Sequence, residues 1–448
     1  MHTMNKTIQP VNSRRKFLKS LGVATFPTGM GALLSPNQLN ANRRTLRILR
    51  WKNFIPEFEN WFNDVFVTQW SRENGINVVV DNVGLGEIDQ LALNEAKAQH
   101  GHDMVLFLSP QPALEDSAID HREIFEESER RYGKAHEFIR RSCYNPVTDT
   151  FHGFCESYLA VMLTYRQDLW NAIGHQPKTW EQVRKGGRAL RLLHNAPVGI
   201  SLAAEHNGKQ SLRALMSCFG ASVQNEHGEL TLRSPETRDA LKFATALFQE
   251  AMTPDVLHWT PPSNNQFMLS GSGSLTVDTM SIIRAAQTNQ LPVNTHLSLA
   301  PLPEGPAGAR GPVFGANVYV IWKFAKNIDL AKKFIVDYLA NISDGIKASG
   351  FQNLPAIPGT VPDFNTMITS DNGPPDRYKL LLNLHNTQTN LGYPGYTNAA
   401  IDEVQKIGVI PKMFSNVALG KLSTERALSQ ANDAIKPIFD KWKRERKI

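Results

Sequence analysis

Short apolar runs alternate with amphipathic stretches along the first hundred residues beyond position 44. Residues 46–51 alternate apolar and polar side chains with a period of two, which predicts a strand. Residues 76–80 and 103–108 are nearly continuous apolar runs, typical of strands in a parallel sheet that is covered on both faces. Between these runs, at 58–66 and 91–98, apolar residues recur at helical spacing. The order strand, helix, strand, helix, strand predicts an open α/β sheet with right-handed crossovers.

Elements of both kinds continue to the C-terminus. Thr179 with Gln182 forms a capping box, and Ser234 followed by Pro235 is a second helix start. Further strands are predicted at 158–165, 274–277, 297–300 and 318–322, and further helices at 331–339, from 399, and at 428–442. The segment 352–396 is rich in Pro, Gly, Asn and Thr and predicts long surface loops.

The N-terminal segment has the pattern of a twin-arginine export signal. Arg14 and Arg15 precede Phe17-Leu18 and a weakly apolar stretch at 21–34, with no acidic residue. The stretch is too short and too weakly apolar to span a bilayer. We expect a signal peptide over 1–41, recognition by the twin-arginine translocase, and a periplasmic protein.

Removal of this signal changes the charge balance. The whole chain has 48 basic and 42 acidic residues, and residues 1–41 hold five of the basic ones, which leaves 43 against 42. A nucleic-acid-binding domain needs basic residues clustered on its folded surface. The nearly neutral remainder therefore argues against a nucleic-acid partner.

Length and motifs limit the function further. About 400 residues exceed what a single hydrophobic core usually supports, so two lobes are expected. Cys143, Cys155 and Cys218 are too few for a disulfide framework, and either a Cys143–Cys155 bridge or three free thiols fits the sequence. Phosphate-loop, dinucleotide-binding, hydrolase and metal-ligand motifs are missing from the sequence, so we expect no catalytic residue, no metal and no cofactor.

Aromatic and amide residues fall at several predicted strand ends. In open α/β sheets, ligands bind in the crevice beyond the carboxyl ends of the strands. Aromatic faces stack on the C–H faces of sugars, while carboxylate and amide groups bind hydroxyls. The pattern therefore favours a neutral polyhydroxylated ligand. The residues concerned are Trp51, Lys52, Asn53, Phe54, Ser109, Asp278, Met280, Gly315, Asn317, Tyr393 and Tyr396.

The same order of motifs resembles the extracellular solute-binding proteins (family 1) of carbohydrate ABC transporters, relatives of the maltose-binding protein. Residues 165–181, YRQDLWNAIGHQPKTWE, resemble the family's "YNKDLFKKAG…PKTWDE" signature. Residues 267–278 are similar to its "F..GKAAM..DG" segment, and 315–339 to its return strand and following helix. Arg166 replaces the usual Asn, and Ser272-Gly273-Ser274 replaces Lys-Ala-Ala.

The resemblance implies a two-lobed periplasmic binding protein fold (type II) with a hinged cleft. Lobe 1 would comprise 42–155 and 304–355, and lobe 2 would comprise 156–303 and 356–448. Hinges would lie near 154–158, 299–302 and 354–357. The resemblance adds Glu156, Tyr158 and Trp259 to the expected ligand-binding residues. It also implies a monomer that closes on a sugar or oligosaccharide and delivers it to ABC permease subunits without chemical change.

Three alternatives stay open at this point. A binding protein for a polyamine or ferric ion would share the two-lobed plan. A periplasmic glycan-acting enzyme would need paired carboxylates, for which Glu156, Glu205 and Asp278 are candidates. A cofactor-loaded oxidoreductase would fit twin-arginine export but lacks a dinucleotide fingerprint.

Overall fold

The computed structural model describes residues 44–370 and 377–448. The predicted twin-arginine signal lies outside these residues. Among the helices described, none is long and apolar enough to cross a bilayer.

A six-stranded mixed sheet organises the first part of the described chain. The strand Thr45–Trp51 pairs in parallel with the strands that flank it on both sides, as the βαβαβ pattern predicts. Gly315–Ile321 and Phe154–Leu159 then extend the sheet as antiparallel strands. In spatial order, the strands are Leu354–Pro355, Phe154–Leu159, Gly315–Ile321, Met104–Phe107, Thr45–Trp51 and Asn77–Val83. We call this sheet and the helices packed against it the first lobe.

A smaller sheet organises the middle of the chain. In spatial order, its strands are Leu297–Ala300, Met162–Arg166, Leu275–Asp278 and Val198–Gly199. We call this sheet and its helices the second lobe. Two short ladders lie outside both sheets; Gly311–Pro312 pairs with Gln388–Thr389, and Tyr144–Asn145 pairs with Thr150–Phe151.

Helices cover both sheets. The α-helices are Pro56–Asn60, Thr68–Asn74, Ile88–Ala98, Arg122–Tyr132, Glu137–Cys143, Gln167–Ala172, Trp180–His194, His206–Cys218, Pro235–Ala251, Ser263–Leu269, Ser281–Thr288, Ile328–Ala348, Phe364–Ser370, Ala399–Ile407, Val409–Ala418 and Thr424–Arg444. A π-helical turn occupies Trp61–Val67, and 3-10 turns occupy Pro112–Ser117, Pro254–Leu257, Pro292–His296, Pro358–Thr360, Lys379–Leu382 and Leu384–Thr387.

Aromatic rings from two helical segments form the core of the first lobe. Phe62 and Phe66 of the π-helical turn contact Phe334 and Tyr338 of helix Ile328–Ala348, with ring centroids 5.3–6.3 Å apart. The buried Arg50 guanidinium lies 4.2 Å from the Phe62 ring centroid. The apolar spacing over 58–66 thus marks a helical face that packs on another helix.

Three sequence-based expectations are wrong in detail. The single strand expected at 158–165 is two strands in different sheets, because the chain leaves the first sheet after Leu159 and enters the second at Met162. The helix expected from 399 ends at Ile407, where Gly408 adopts φ +65° and a second helix begins. The described residues of the segment, 352–370 and 377–396, form short helices and strands, and many of their side chains are buried rather than placed in surface loops.

The thiols of Cys143, Cys155 and Cys218 are buried and free. The bridge that the sequence left open is therefore not formed.

Candidate ligand-binding cavity

A cavity of about 890 Å³ lies between the first and second lobes. Its wall includes residues that follow the strand Thr45–Trp51 of the first sheet and residues at the end of the strand Leu275–Asp278 of the second. This volume is in the range of small-molecule sites. The position matches the general rule that ligands bind at strand ends in α/β proteins.

The first lobe contributes a mainly apolar wall. Phe54, Ile55 and Pro56 line the cavity in the turn that leads into the first helix, and Leu85 lies beside them. The Phe54 side chain is held outside the core, with 52% of its surface exposed. An exposed aromatic ring beside a cavity offers a flat face to a ligand.

The second lobe contributes a connected chain of polar side chains. Asn265 Nδ2 donates to Ser281 Oγ (3.1 Å), and Ser281 Oγ donates to Asp278 Oδ2 (3.2 Å). Asn264 Nδ2 donates to the same Asp278 oxygen (2.8 Å). All four residues line the cavity. These bonds fix Asp278 as a preorganised acceptor at the wall.

Burial controls the charge of Asp278. Burial raises the pKa of its carboxyl to about 7, although bonds from the Thr279 backbone, Ser281 and Asn264 favour the ionised form. Nearby Glu205 raises the pKa of Asp278 further. The carboxyl therefore titrates near neutral pH.

The N-terminus of helix His206–Cys218 also lines the cavity. The Glu205 carboxylate accepts from the backbone N–H groups of Asn207 (2.7 Å) and Gly208 (2.6 Å) and so caps the helix. His206 Nε2 donates to the Phe314 carbonyl (2.9 Å), which leaves Nδ1 without the proton. Burial lowers the pKa of His206 to about 4, so this ring is neutral at pH 7.

Hydrogen bonds cross the cavity between the lobes. Thr279 Oγ1 of the second lobe donates to Gln352 Oε1 of the first (3.0 Å), and Arg284 Nε donates to the Gly350 carbonyl (2.5 Å). Arg284 also stacks on the ring of Tyr378. The cavity wall is therefore a joint product of both lobes.

Of the described residues predicted to bind ligand, Phe54 and Asp278 line this cavity. Lys52 is exposed and Ser109 is partly exposed, but neither lines it. Trp259 packs against Phe267 (5.2 Å between ring centroids), close to Pro261 of the wall. The ligand-binding roles predicted for Lys52, Ser109 and Trp259 stay predictions.

Several other predicted residues lie beneath the first-lobe wall. Trp51 is 1% exposed, its Nε1 donates to Asn317 Oδ1 (3.0 Å), and its ring contacts Phe54. Asn317 Nδ2 donates in turn to Ser157 Oγ (2.8 Å). Asn53 is buried, and its side-chain oxygen accepts from the Ile55 N–H (2.9 Å). These groups support the wall but do not form it.

The remaining predicted residues are spread over the protein interior. Met280 and Tyr158 are buried, and a side chain at Gly315 would approach Leu108 to 2.6 Å. Burial raises the pKa of Glu156 to about 8. Tyr393 accepts a bond from Arg310 (2.7 Å), and Tyr396 is 8% exposed.

Most residues of the polar wall were not predicted from the sequence. Asn264, Asn265, Ser281 and His206 were not predicted, and Glu205 was considered only as a catalytic carboxylate. One signal was available: Ser281 opens a helix three residues after Asp278, so both side chains fall at the same strand end. The position of Asn264 depends on tertiary packing.

Comparison with known proteins agrees with this architecture. Residues 148–341 match the family model described as "Bacterial extracellular solute-binding protein". A comparison with curated protein sequences gives no match.

Solved structures of similar fold include sugar complexes. The maltose-bound MalE3 of T. maritima is 17% identical, with a TM-score of 0.73 over 88% of this chain and 99% of that one. A Thermotoga lettingae ABC transporter solute-binding protein bound with α-D-tagatose is 15% identical, with a TM-score of 0.73 over 88% and 100%. A sugar transporter from Arthrobacter chlorophenolicus with bound laminaribiose is 14% identical, with a TM-score of 0.72 over 88% and 99%.

The fold and these matches together define the class of fold: this chain has the two-lobed periplasmic binding protein fold, and its residues 148–341 match the model of extracellular solute-binding proteins. The resemblance found in the sequence is thereby confirmed. The matched family and these structures are binding proteins.

Proposed function

We propose that this protein binds a sugar or oligosaccharide in the interlobe cavity and delivers it to the permease subunits of an ABC importer. One observation carries the proposal. The exposed Phe54 ring lies on one wall of the cavity, and the opposite wall holds the hydrogen-bonded side chains of Asn265, Ser281 and Asp278. A pyranose has an apolar face and a rim of hydroxyls, which fits one apolar wall and one polar wall.

The sugar-bound structures of similar fold support this ligand class, since maltose, tagatose and laminaribiose are all polyhydroxylated and uncharged. No step of catalysis is part of the proposal. Binding energy shared between both walls would favour the arrangement in which the lobes approach each other, and the permease would recognise that arrangement.

The remaining assignments belong to the same proposal. The proposed division puts 42–155 and 304–355 in lobe 1 and 156–303 and 356–448 in lobe 2, so that its first boundary falls within the strand Phe154–Leu159 of the first sheet. The mature protein acts as a periplasmic monomer after twin-arginine export. The passage of the chain between the sheets at 159–162 supports a hinge close to the proposed one at 154–158.

A thermal-shift screen tests the ligand class. The purified mature protein is heated with mono- and oligosaccharides, with polyamines such as spermidine, and with ferric citrate. We expect a carbohydrate to raise the melting temperature, because a ligand at 100 times its Kd stabilises the folded state by about 2.7 kcal/mol. Stabilisation by spermidine or iron alone would contradict the sugar assignment and support the alternative solute.

A further inference from the structure

The C-terminal helices of the second lobe contact the first lobe outside the cavity. Residues 111–116 follow the strand Met104–Phe107 of the first sheet and run into a 3-10 turn. Lys406, at the end of helix Ala399–Ile407, and Lys447, just beyond helix Thr424–Arg444, both reach this segment. Neither lysine lines the cavity.

Lys406 joins two buried polar groups. Its Nζ donates to Gln111 Oε1 (2.8 Å) and to Asp402 Oδ2 (2.9 Å). Gln111 is 1% exposed, and its Nε2 donates to Asp89 Oδ1 (3.3 Å). The buried amide of Gln111 therefore has its oxygen satisfied by a cation of the other lobe.

Lys447 pairs with one carboxylate of low exposure, Glu115, and with one exposed carboxylate, Asp116. Its Nζ lies 3.2 Å from Glu115 Oε1 and 2.6 Å from Asp116 Oδ1, and the side chains of Lys447 and Glu115 are 15% and 6% exposed. Asn145 Nδ2 donates both to Glu115 Oε2 (2.9 Å) and to the Lys447 carbonyl (3.1 Å). Removal of Lys447 leaves the Glu115 carboxylate buried without its cation, which is more destabilising than the loss of an exposed ion pair.

These two contacts bridge the lobes because their lysines are anchored in the second lobe. Helices Ala399–Ile407 and Thr424–Arg444 pack on each other and on Val409–Ala418, which packs in turn on helix Pro235–Ala251. Gln111, Glu115 and Asp116 belong to the segment that continues the first sheet.

We propose that Lys406 and Lys447 are positioning residues for ligand binding. They form a C-terminal clamp, defined as these two lysines with Gln111, Glu115 and Asp116, which holds the lobes in the arrangement where both cavity walls face each other. This inference rests on the proposed function, since it concerns the affinity of the same cavity.

The clamp acts on affinity through the population of the competent arrangement. The apparent Kd equals the intrinsic Kd divided by the fraction of molecules whose lobes are arranged for binding. Removal of the clamp lowers that fraction without touching a ligand-contacting group. We expect the apparent Kd to rise about three- to tenfold, with the larger change for Lys447 because its ion pair is less exposed.

The test compares Lys406→Met, Lys447→Met and the double variant with Lys436→Met as the matched control. Lys436 lies on helix Thr424–Arg444 but pairs with Asp440 of the same helix, and both side chains are well exposed. Small-angle scattering without ligand measures the radius of gyration, and titration calorimetry measures the Kd of the sugar that stabilises the wild type. We expect clamp variants to show a larger radius and weaker binding, Lys436→Met to match the wild type, and Lys447→Arg to restore most of the affinity.

An unchanged radius and an unchanged Kd in both single clamp variants would overturn the clamp. A loss of affinity with an unchanged radius would also overturn it, because that result places the lysines in a purely local role. If circular dichroism shows that Lys447→Met does not fold, Lys406→Met alone tests the clamp. Lys406 is partly exposed, so we expect this variant to fold. If no sugar binds the wild type, the proposed function fails, and the scattering data alone still test the clamp.

Discussion

Phe54 and Trp51 lie three positions apart and have opposite environments. Trp51 is 1% exposed and donates its indole N–H to Asn317, whereas Phe54 is 52% exposed and lines the cavity. Their ring centroids are 5.7 Å apart. The buried indole thus supports the ring that lines the cavity.

We expect Phe54→Ala to change ligand affinity and Trp51→Ala to change the stability of the fold. Phe54→Ala should weaken sugar binding by about tenfold, the effect of losing about 1.4 kcal/mol of stacking, with little change in melting temperature. Trp51→Ala should lower the free energy of unfolding by about 3–5 kcal/mol, because a buried ring leaves a cavity. Titration calorimetry and urea unfolding measure the two quantities. A Trp51→Ala protein with wild-type stability and lost affinity would place Trp51 in contact with ligand instead.

We expect Asp278 to make the affinity for ligand depend on pH. Because burial raises the pKa of this carboxyl to about 7, lowering the pH below 7 protonates it in the ligand-free protein. Ligand hydroxyls that donate to the carboxylate favour the ionised form, so affinity should fall as pH drops from 8 to 5.5. Asp278→Asn should bind at least about tenfold more weakly and lose this pH dependence. Calorimetric titrations across this range check both statements, and an equal slope in the variant would assign the titration to another group.

At the scale of elements, local signals in the sequence were reliable where they were complete. Both hydrogen bonds of the predicted capping box are present: Gln182 N–H donates to Thr179 Oγ1, and Thr179 N–H donates to Gln182 Oε1, each at 3.1 Å. Helix Trp180–His194 begins there as predicted. A cap is a local arrangement of a few side chains, so the sequence is enough to specify it.

Other boundaries could not be predicted because they depend on tertiary structure. The apolar run at 158–165 looks like one strand because both of its halves are buried. Each half is buried in a different sheet, which the sequence does not show. The segment 352–396 has the composition of loops, yet Leu354, Ile357 and Leu381 are buried against other elements. The composition indicates the turns in this segment, but it does not show which other elements cover its apolar side chains.

The capping box gives a prediction for helix stability. Thr179→Ala should lower the free energy of unfolding by about 1 kcal/mol, because the variant leaves the Gln182 N–H without its side-chain acceptor. Thr253→Ala is the matched control, because Thr253 precedes a 3-10 turn without making a capping bond. Urea unfolding compares the two. Equal losses of stability in both variants would mean that the box contributes nothing beyond the threonine side chain itself.

At the scale of the whole molecule, the sequence pointed to two residues of the cavity wall but not to the rest of that wall. Phe54 follows the strand Thr45–Trp51 and Asp278 ends the strand Leu275–Asp278, so the strand-end rule leads to both residues. Asn264 and Gln352 lie far apart in sequence and meet at the cavity only because the two lobes face each other there. A site formed between lobes therefore has contributions that no single stretch of sequence reveals.

Buried histidines make the stability of the fold depend on pH. His121 Nδ1 donates to the Phe151 carbonyl (3.1 Å), and its Nε2 accepts from the Ile321 N–H (2.9 Å). Protonation of Nε2 would place two N–H groups against each other. Burial lowers the pKa of His121 to about 4 and that of His152 to about 3, against an ordinary histidine value of 6.5.

The direction in which folding stability changes with pH follows from these pKa values. Between pH 6.5 and 4 the unfolded chain binds protons that buried His121 does not, so folding stability is lost as pH falls through this range. Glu156 acts in the opposite sense, since its raised pKa of about 8 costs stability as pH rises from 4.5. The contribution of one histidine must therefore be measured as a difference between matched variants.

We expect His121→Gln to lose less stability than the wild type between pH 7.5 and 5.0, by about 1–2 kcal/mol, because one pKa unit corresponds to about 1.4 kcal/mol. Urea unfolding at both pH values gives the four free energies of unfolding. His258→Gln, at an exposed position, should follow the wild type at both pH values. If His121→Gln lost as much stability as the wild type on acidification, the proton uptake that destabilises this fold would have to occur at another group, with His152 the next candidate because it is fully buried.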